Sequence, residues 1–195
     1  LSLLPVAAPA QPLAAAVLPS SRSVQVGSPA TAFATVISSF TTGRGCRIEP
    51  ITNLPAVFFY QTTNPATNEP TGPPNTPVDI PSGGLQTFVI AFTPAAPFSQ
   101  IDVQLLFLCT NLPPASVVVG VNTLLLSASS TPTPDIVALA ATLNNDGIVN
   151  IPGASGTGAF SVATANVGVG ASITASADTG TSRKICSMMW SVVMP

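Results

Sequence analysis

Short runs in which apolar residues alternate with hydroxyl-bearing ones, broken every few positions by Pro or Gly, make up most of this chain. In residues 32–39, for example, Phe33, Thr35 and Ile37 alternate with Ala34, Val36 and Ser38. Successive side chains of a strand point to opposite faces, so this period of two predicts β-structure. Further runs rich in Val, Ile, Phe and Thr predict strands at 23–27, 46–49, 56–62, 78–80, 85–93, 101–109 and 117–127. The second half predicts strands at 136–143, 148–151, 158–165, 171–177 and 185–193. No long segment carries the i, i+3, i+4 apolar spacing of a helix. The 21 Pro and 14 Gly act as punctuation between strands. The expectation is an all-β fold, a β-sandwich of one or two modules with almost no helix.

The same pattern divides the chain. Residues 1–18 read as an extended apolar arm and 19–128 as the main sandwich. Residues 129–134, Ser-Ser-Thr-Pro-Thr-Pro, read as a stiff connector. Residues 135–195 form a second, smaller β module, thin for an independent domain, and either incomplete or merged with the first. Asn144-Asn145-Asp146-Gly147 between two apolar runs predicts a hairpin turn there. A short echo between residues 30–36 and 156–164 hints that the two halves are related.

Composition narrows the partners. Only 6% of residues are charged, against about 25% in an ordinary soluble protein. A net charge of −2 supplies no basic footprint for nucleic acid and no polybasic patch for anionic lipid. Pro, Ser, Thr or Asn interrupts every apolar stretch before the roughly 20 residues that a membrane helix needs. Disorder is disfavoured by 46% hydrophobic content. The surface is therefore expected to be covered by Ser, Thr, Asn and Gln. Such a surface resists self-association poorly, which favours neighbouring protein subunits as partners.

Candidate chemistry is sparse. Histidine is absent, which removes the commonest general base and metal ligand. Calcium needs six to eight oxygens, and Asp135, Asn144, Asn145, Asp146 and Asp178 are the oxygen donors in question. They lack the spacing of a calcium loop, so a plain turn is expected. The Gly-rich segment 153–158 has no following Lys or helix to hold a phosphate and reads as a connector. Asp79 and Asp102 are the pair to weigh for glycoside hydrolysis; Asp102, alternating with Ile101 and Val103, is expected to face solvent. Phe58 and Tyr60 share one strand face and Phe59 takes the other, so core packing or a subunit contact are both open. No enzyme, no cofactor and no metal are expected, and any small-molecule ligand is unknown.

Cys46, Cys109 and Cys186 have no CxxC spacing. Cys46 and Cys109 lie near predicted strand ends, and a disulfide between them is expected, which places the chain in an oxidising, extracellular compartment. The alternative is two small buried apolar groups. Cys186 would be free or paired with another chain. At the N-terminus, Ala8-Pro9-Ala10 and Ala14-Ala15-Ala16 follow apolar residues in the manner of a secretory signal's end. Two fates are open for this arm. It adds a strand to a neighbouring subunit, with Leu3, Leu4, Val6, Leu13, Val17 and Leu18 filling a groove there, or it packs on its own domain as an edge strand. At the other end, the Met residues, Trp190 and Lys184 all fall after residue 183, through either a final apolar strand or a change of reading frame.

Val24-Gln25-Val26-Gly27-Ser28-Pro29-Ala30-Thr31-Ala32-Phe33-Ala34-Thr35-Val36 resembles the opening strand pair of immunoglobulin-like modules in bacterial exported proteins. Gly45-Cys46 and Phe107-Leu108-Cys109 are similar to the cysteine positions that some of these modules carry. The resemblance spans about residues 19–128 and departs from antibody domains, because no Trp lies between the two cysteines. It implies an immunoglobulin-like sandwich serving as a spacer, binding platform or surface-layer part. The leading expectation is a non-enzymatic structural subunit of an extracellular bacterial assembly, held by strand addition and apolar docking. A monomeric binding or spacer module is the alternative.

Overall fold

The computed structural model describes residues 11–143, 149–153, 155–175 and 190–193. Among them every regular element is a strand. In chain order these are β1 (Leu13–Leu18), β2 (Ser21–Gln25), β3 (Ala30–Ser38), β4 (Gly43–Pro50), β5 (Ala56–Thr63), β6 (Val78–Ile80), β7 (Leu85–Pro94), β8 (Phe98–Leu108) and β9 (Thr123–Ser129). They continue with β10 (Ile136–Thr142), β11 (Phe160–Asn166), β12 (Ser172–Ala175) and β13 (Trp190–Val193).

Strands β1 to β9 build two sheets. One runs β1-β3-β7-β5 and is antiparallel throughout. The other runs β2-β9-β8-β4-β6, with β2 parallel to β9 at its edge. Their buried side chains form one cluster, so the sheets are two layers over a shared core. Phe88, Ile90 and Phe92 of β7 meet Val103, Leu105 and Phe107 of β8 and Leu124 and Leu126 of β9 there. Rings add specific contacts: Phe58 lies 4.7 Å from Phe92, and Tyr60 meets Phe88 edge-on at 6.0 Å between centroids.

The expected period of two holds in β3, where Ala30, Ala32, Ala34 and Val36 point inward. The bulkier Phe33 and Ile37 point outward and are exposed. Small inward residues leave room for the phenylalanines of the adjacent β7, where Phe88 pairs with Ala34 and Phe92 with Ala30.

The N-terminal residues correct one expectation. Strand β1 pairs with β3 of its own sheet, from Leu13 opposite Ser38 to Leu18 opposite Phe33. Leu13 and Val17 are each 1% exposed within the chain's own core, so neither is available to fill a neighbour's groove. Burial of two aliphatic side chains at home is worth about 1.5–3 kcal/mol each, which donation would forfeit. Leu18 points outward and is exposed. Leu3, Leu4 and Val6 lie outside the described residues, as do Cys186 and the turn 144–147.

A second correction concerns the hairpin. Residues 149–151 belong to no strand, and β10 pairs instead with β11, from Ile136 opposite Asn166 to Thr142 opposite Phe160. The run predicted over 117–127 also begins later, at Thr123, because residues 117–122 form a loop closed by Asn122, which donates to Ser116 O and accepts from Val118 N.

Candidate functional site

The candidate site is the β10–β11 ribbon together with the joint that fixes it to the two-layered unit. The joint is polar and buried. Arg22 Nε of β2 contacts Asp135 Oδ2 at 2.8 Å, with the side chains 13% and 4% exposed. Asp135 Oδ1 accepts from Ser23 N at 2.9 Å, and Arg22 Nη1 donates to Thr31 O and Thr31 Oγ1. Both carboxylate oxygens are thus used, which is what makes a buried ion pair tolerable.

Asn166 at the end of β11 completes the joint. Its Oδ1 accepts from Asp135 N and Gly168 N, both at 3.1 Å, and its Nδ2 donates to Val169 O. A Cβ on Gly168 would lie 2.3 Å from Thr133 O and 2.6 Å from Asp135 N, so only glycine fits this crossing. A cleft of about 270 Å³ opens beside the joint, lined in part by Gln25, Ser28 and Thr133. Sequence reasoning placed Asp135 among oxygen donors for calcium; the structure commits it to Arg22. The signal that would have found the pair is the scarcity of charge itself, since Arg22 is the one basic residue before residue 44.

The ribbon that this joint holds is a sheet of two strands. Among the described residues no strand pairs with the outer edge of β10 or of β11. Both strands lack Pro and charge. Leu139 is 55% exposed on one face, and Phe160, 61% exposed, with Val162 on the other. The two-layered unit treats its own edges differently. The outer edge of β5 is covered by the loop that follows it, through Thr71 N to Thr62 O and Asn75 N to Tyr60 O. Val17 N of β1 donates to Val121 O, Ser23 N of β2 donates to Asp135, and β6 is only three residues long. Covering, capping and shortening are the ordinary means of keeping an edge from recruiting another chain, and among the described residues no strand covers either edge of β10–β11.

The disulfide joins Cys46 of β4 to Cys109, the residue just past the end of the neighbouring β8, and both are buried. Gly43 is required beside it, because a Cβ there would lie 2.7 and 2.8 Å from the two Sγ atoms. Asp79 Oδ1 accepts from Gly45 N at 2.8 Å, and Asp102 Oδ1 accepts from Thr123 Oγ1 at 2.7 Å. Asp102 lies on the opposite face from buried Val103, but it is half-buried rather than open to solvent. The registers put Asp79 beside residues 44–45, and Asp102 about eight residues further along the neighbouring strand. At about 3.3 Å per residue that is roughly 25 Å, far beyond the about 5–10 Å of a glycosidase carboxyl pair. No cluster of three metal-ligating side chains occurs among the described residues. Among the described residues no helix is long and apolar enough to cross a membrane.

No family model matches this chain, and no curated protein does. A solved structure of a family 123 glycoside hydrolase from Clostridium perfringens is similar over 61% of this chain and 28% of its own, with a TM-score of 0.43 and 7% identity. That finding stands against the expectation that this chain is not an enzyme, and the expectation is given up. At this TM-score and identity the likeness transfers no activity to the chain either.

Proposed function

We propose that this chain is a structural subunit of an extracellular assembly, joined to neighbouring copies by β-strand addition at the β10–β11 ribbon. The observation that carries the reading is that, among the described residues, no further strand pairs with either uncharged edge of a ribbon whose apolar side chains are exposed on both faces. An isolated two-stranded ribbon is marginal in water. Added strands would satisfy its backbone groups and cover its apolar side chains together. The buried joint at Arg22 and Asp135 would hold the ribbon away from the two-layered unit in a set orientation. The disulfide is compatible with an oxidising, extracellular setting.

We read the two-layered unit as immunoglobulin-like. In support, β1-β3-β7-β5 follows the A-B-E-D order and β9-β8-β4 the G-F-C order of that fold. The disulfide departs from it, since it links neighbours within one sheet rather than bridging the two.

The test is sedimentation velocity with negative-stain microscopy on the full chain and on a Leu139→Lys/Val162→Lys variant. Lysine at exposed positions blunts an edge without entering the core. Ordered polymers from the parent chain, absent in the variant at an unchanged Tm, are expected. Polymers that survive both substitutions, or a parent chain that never exceeds a dimer, would refute strand addition here.

A further inference from the structure

The two layers differ in charge as well as in strand order. Strands β1, β3, β5 and β7 contain no Asp, Glu, Lys or Arg. Every strand charge of the two-layered unit lies on the other sheet: Arg22, Arg44, Arg47, Glu49, Asp79 and Asp102. The registers stack the outward residues of the uncharged sheet into rows. Leu18, Phe33, Val89 and Gln61 form one row, and Ile37 beside Leu85 forms another. Leu18, Phe33, Ile37, Leu85 and Val57 are all exposed on this outer face, with threonines between them.

We infer that this face is a two-fold interface, occupied by the same face of a second copy of this chain. Three arguments select that occupant. First, size suffices. Four strands about 4.8 Å apart and roughly eight residues long at about 3.3 Å each present on the order of 500 Å². Two such faces together reach about 1,000 Å², the lower threshold for a specific interface. Second, charge selects the pairing. Stacking this face on the other sheet would strip water from Arg47 and Glu49, whose own contact at 2.6 Å repays only part of that cost, whereas face on face buries no ion. Third, a two-fold contact needs self-complementarity, and an uncharged face meets its own copy without like-charge repulsion. Sheets packed this way sit about 10 Å apart, as in the interior of a sandwich.

This contact does not depend on the strand-addition reading. If both hold, each copy carries two different self-complementary contacts, and alternating them generates an open chain.

The experiment measures mass in solution by sedimentation equilibrium. To isolate the face, it is done on Leu139→Lys/Val162→Lys protein, with the same chain carrying Phe33→Glu, Phe33→Lys or, as control, Ile51→Glu outside the face. The background is expected to dimerise and the control to match it. Either Phe33 variant should weaken dimerisation at least tenfold while keeping the Tm of the background. A mixture of the Phe33→Glu and Phe33→Lys chains should regain the dimer, because the two-fold brings opposite charges together near its centre. A monomeric background would overturn the proposal. So would dimers indifferent to Phe33, or a background that dimerises only once residues 1–10 are deleted, which would make the chain's own N-terminal segment the occupant. Polymer loss in the ribbon variant with the dimer intact separates this contact from strand addition.

Discussion

At Arg22 and Asp135 the chain commits two of its few charges to one buried contact. Removing either partner leaves the other charge uncompensated, which costs about 3–5 kcal/mol. Arg22→Ala or Asp135→Ala is therefore expected to lower urea-unfolding stability by that order. The double change to Met and Leu should recover most of the loss. Losses that simply add in the double change would show that the two charges are not coupled. Tyr60 offers a different handle. Burial raises its phenol pKa above the ordinary value, opposed by Arg47 and reinforced by Glu49. The folded state then holds the proton more tightly than the unfolded chain. Its contribution is fully present below about pH 10 and is lost as pH rises through the higher folded value. Tyr60→Phe should flatten the alkaline limb of the stability profile and leave neutral pH nearly unchanged. At this scale the sequence was legible in period but not in phase. Alternation in β3 was plain, yet nothing local says that Ala32 and Ala34 face in while Phe33 faces out. The reason lies in Phe88 and Phe92 of another strand, which already fill the interior.

Strand β4 is tied to the end of β8 by the disulfide across a separation of 63 residues. Loop-closure entropy gives such a link about 4 kcal/mol. Reduction, or Cys46→Ala with Cys109→Ala, is expected to lower stability by about 2–5 kcal/mol, read from the shift in denaturant midpoint. An unchanged midpoint would contradict that. Gly43→Ala should cost stability in the oxidised protein and much less in the reduced one, because its Cβ collides with the bridge. Strand existence and type were readable wherever a run of Val, Ile, Phe and Thr stood between Pro or Gly. Strand partnership was less so. The turn signal at 144–147 pointed β10 toward 148–151, and the structure pairs it with β11 across residues 143–159. Ala- and Thr-rich runs have nearly equal claims as partners, and register is settled by which side chains end up covered.

For the whole molecule, the absence of charge from both proposed contacts makes a prediction of its own. Sodium chloride screens ion pairs but leaves apolar contacts nearly untouched, while sulfate strengthens burial. Association should hardly respond to added sodium chloride and should tighten in ammonium sulfate, as light scattering would show. Dissociation by sodium chloride would point to an electrostatic interface instead. The all-β class, the lack of histidine chemistry and the pairing of Cys46 with Cys109 were all open to reading from the residues themselves. These depend on composition, on a period of two and on which thiols sit at strand ends, and such properties are carried by neighbouring residues. Only the tertiary structure decided that Leu13 and Val17 belong to the chain's own core, that Arg22 finds Asp135, and that every strand charge of the two-layered unit falls on one of its two layers. Each of those outcomes joins residues far apart in the chain, and it is the packing of one layer against the other that chooses among partners the local pattern leaves equivalent.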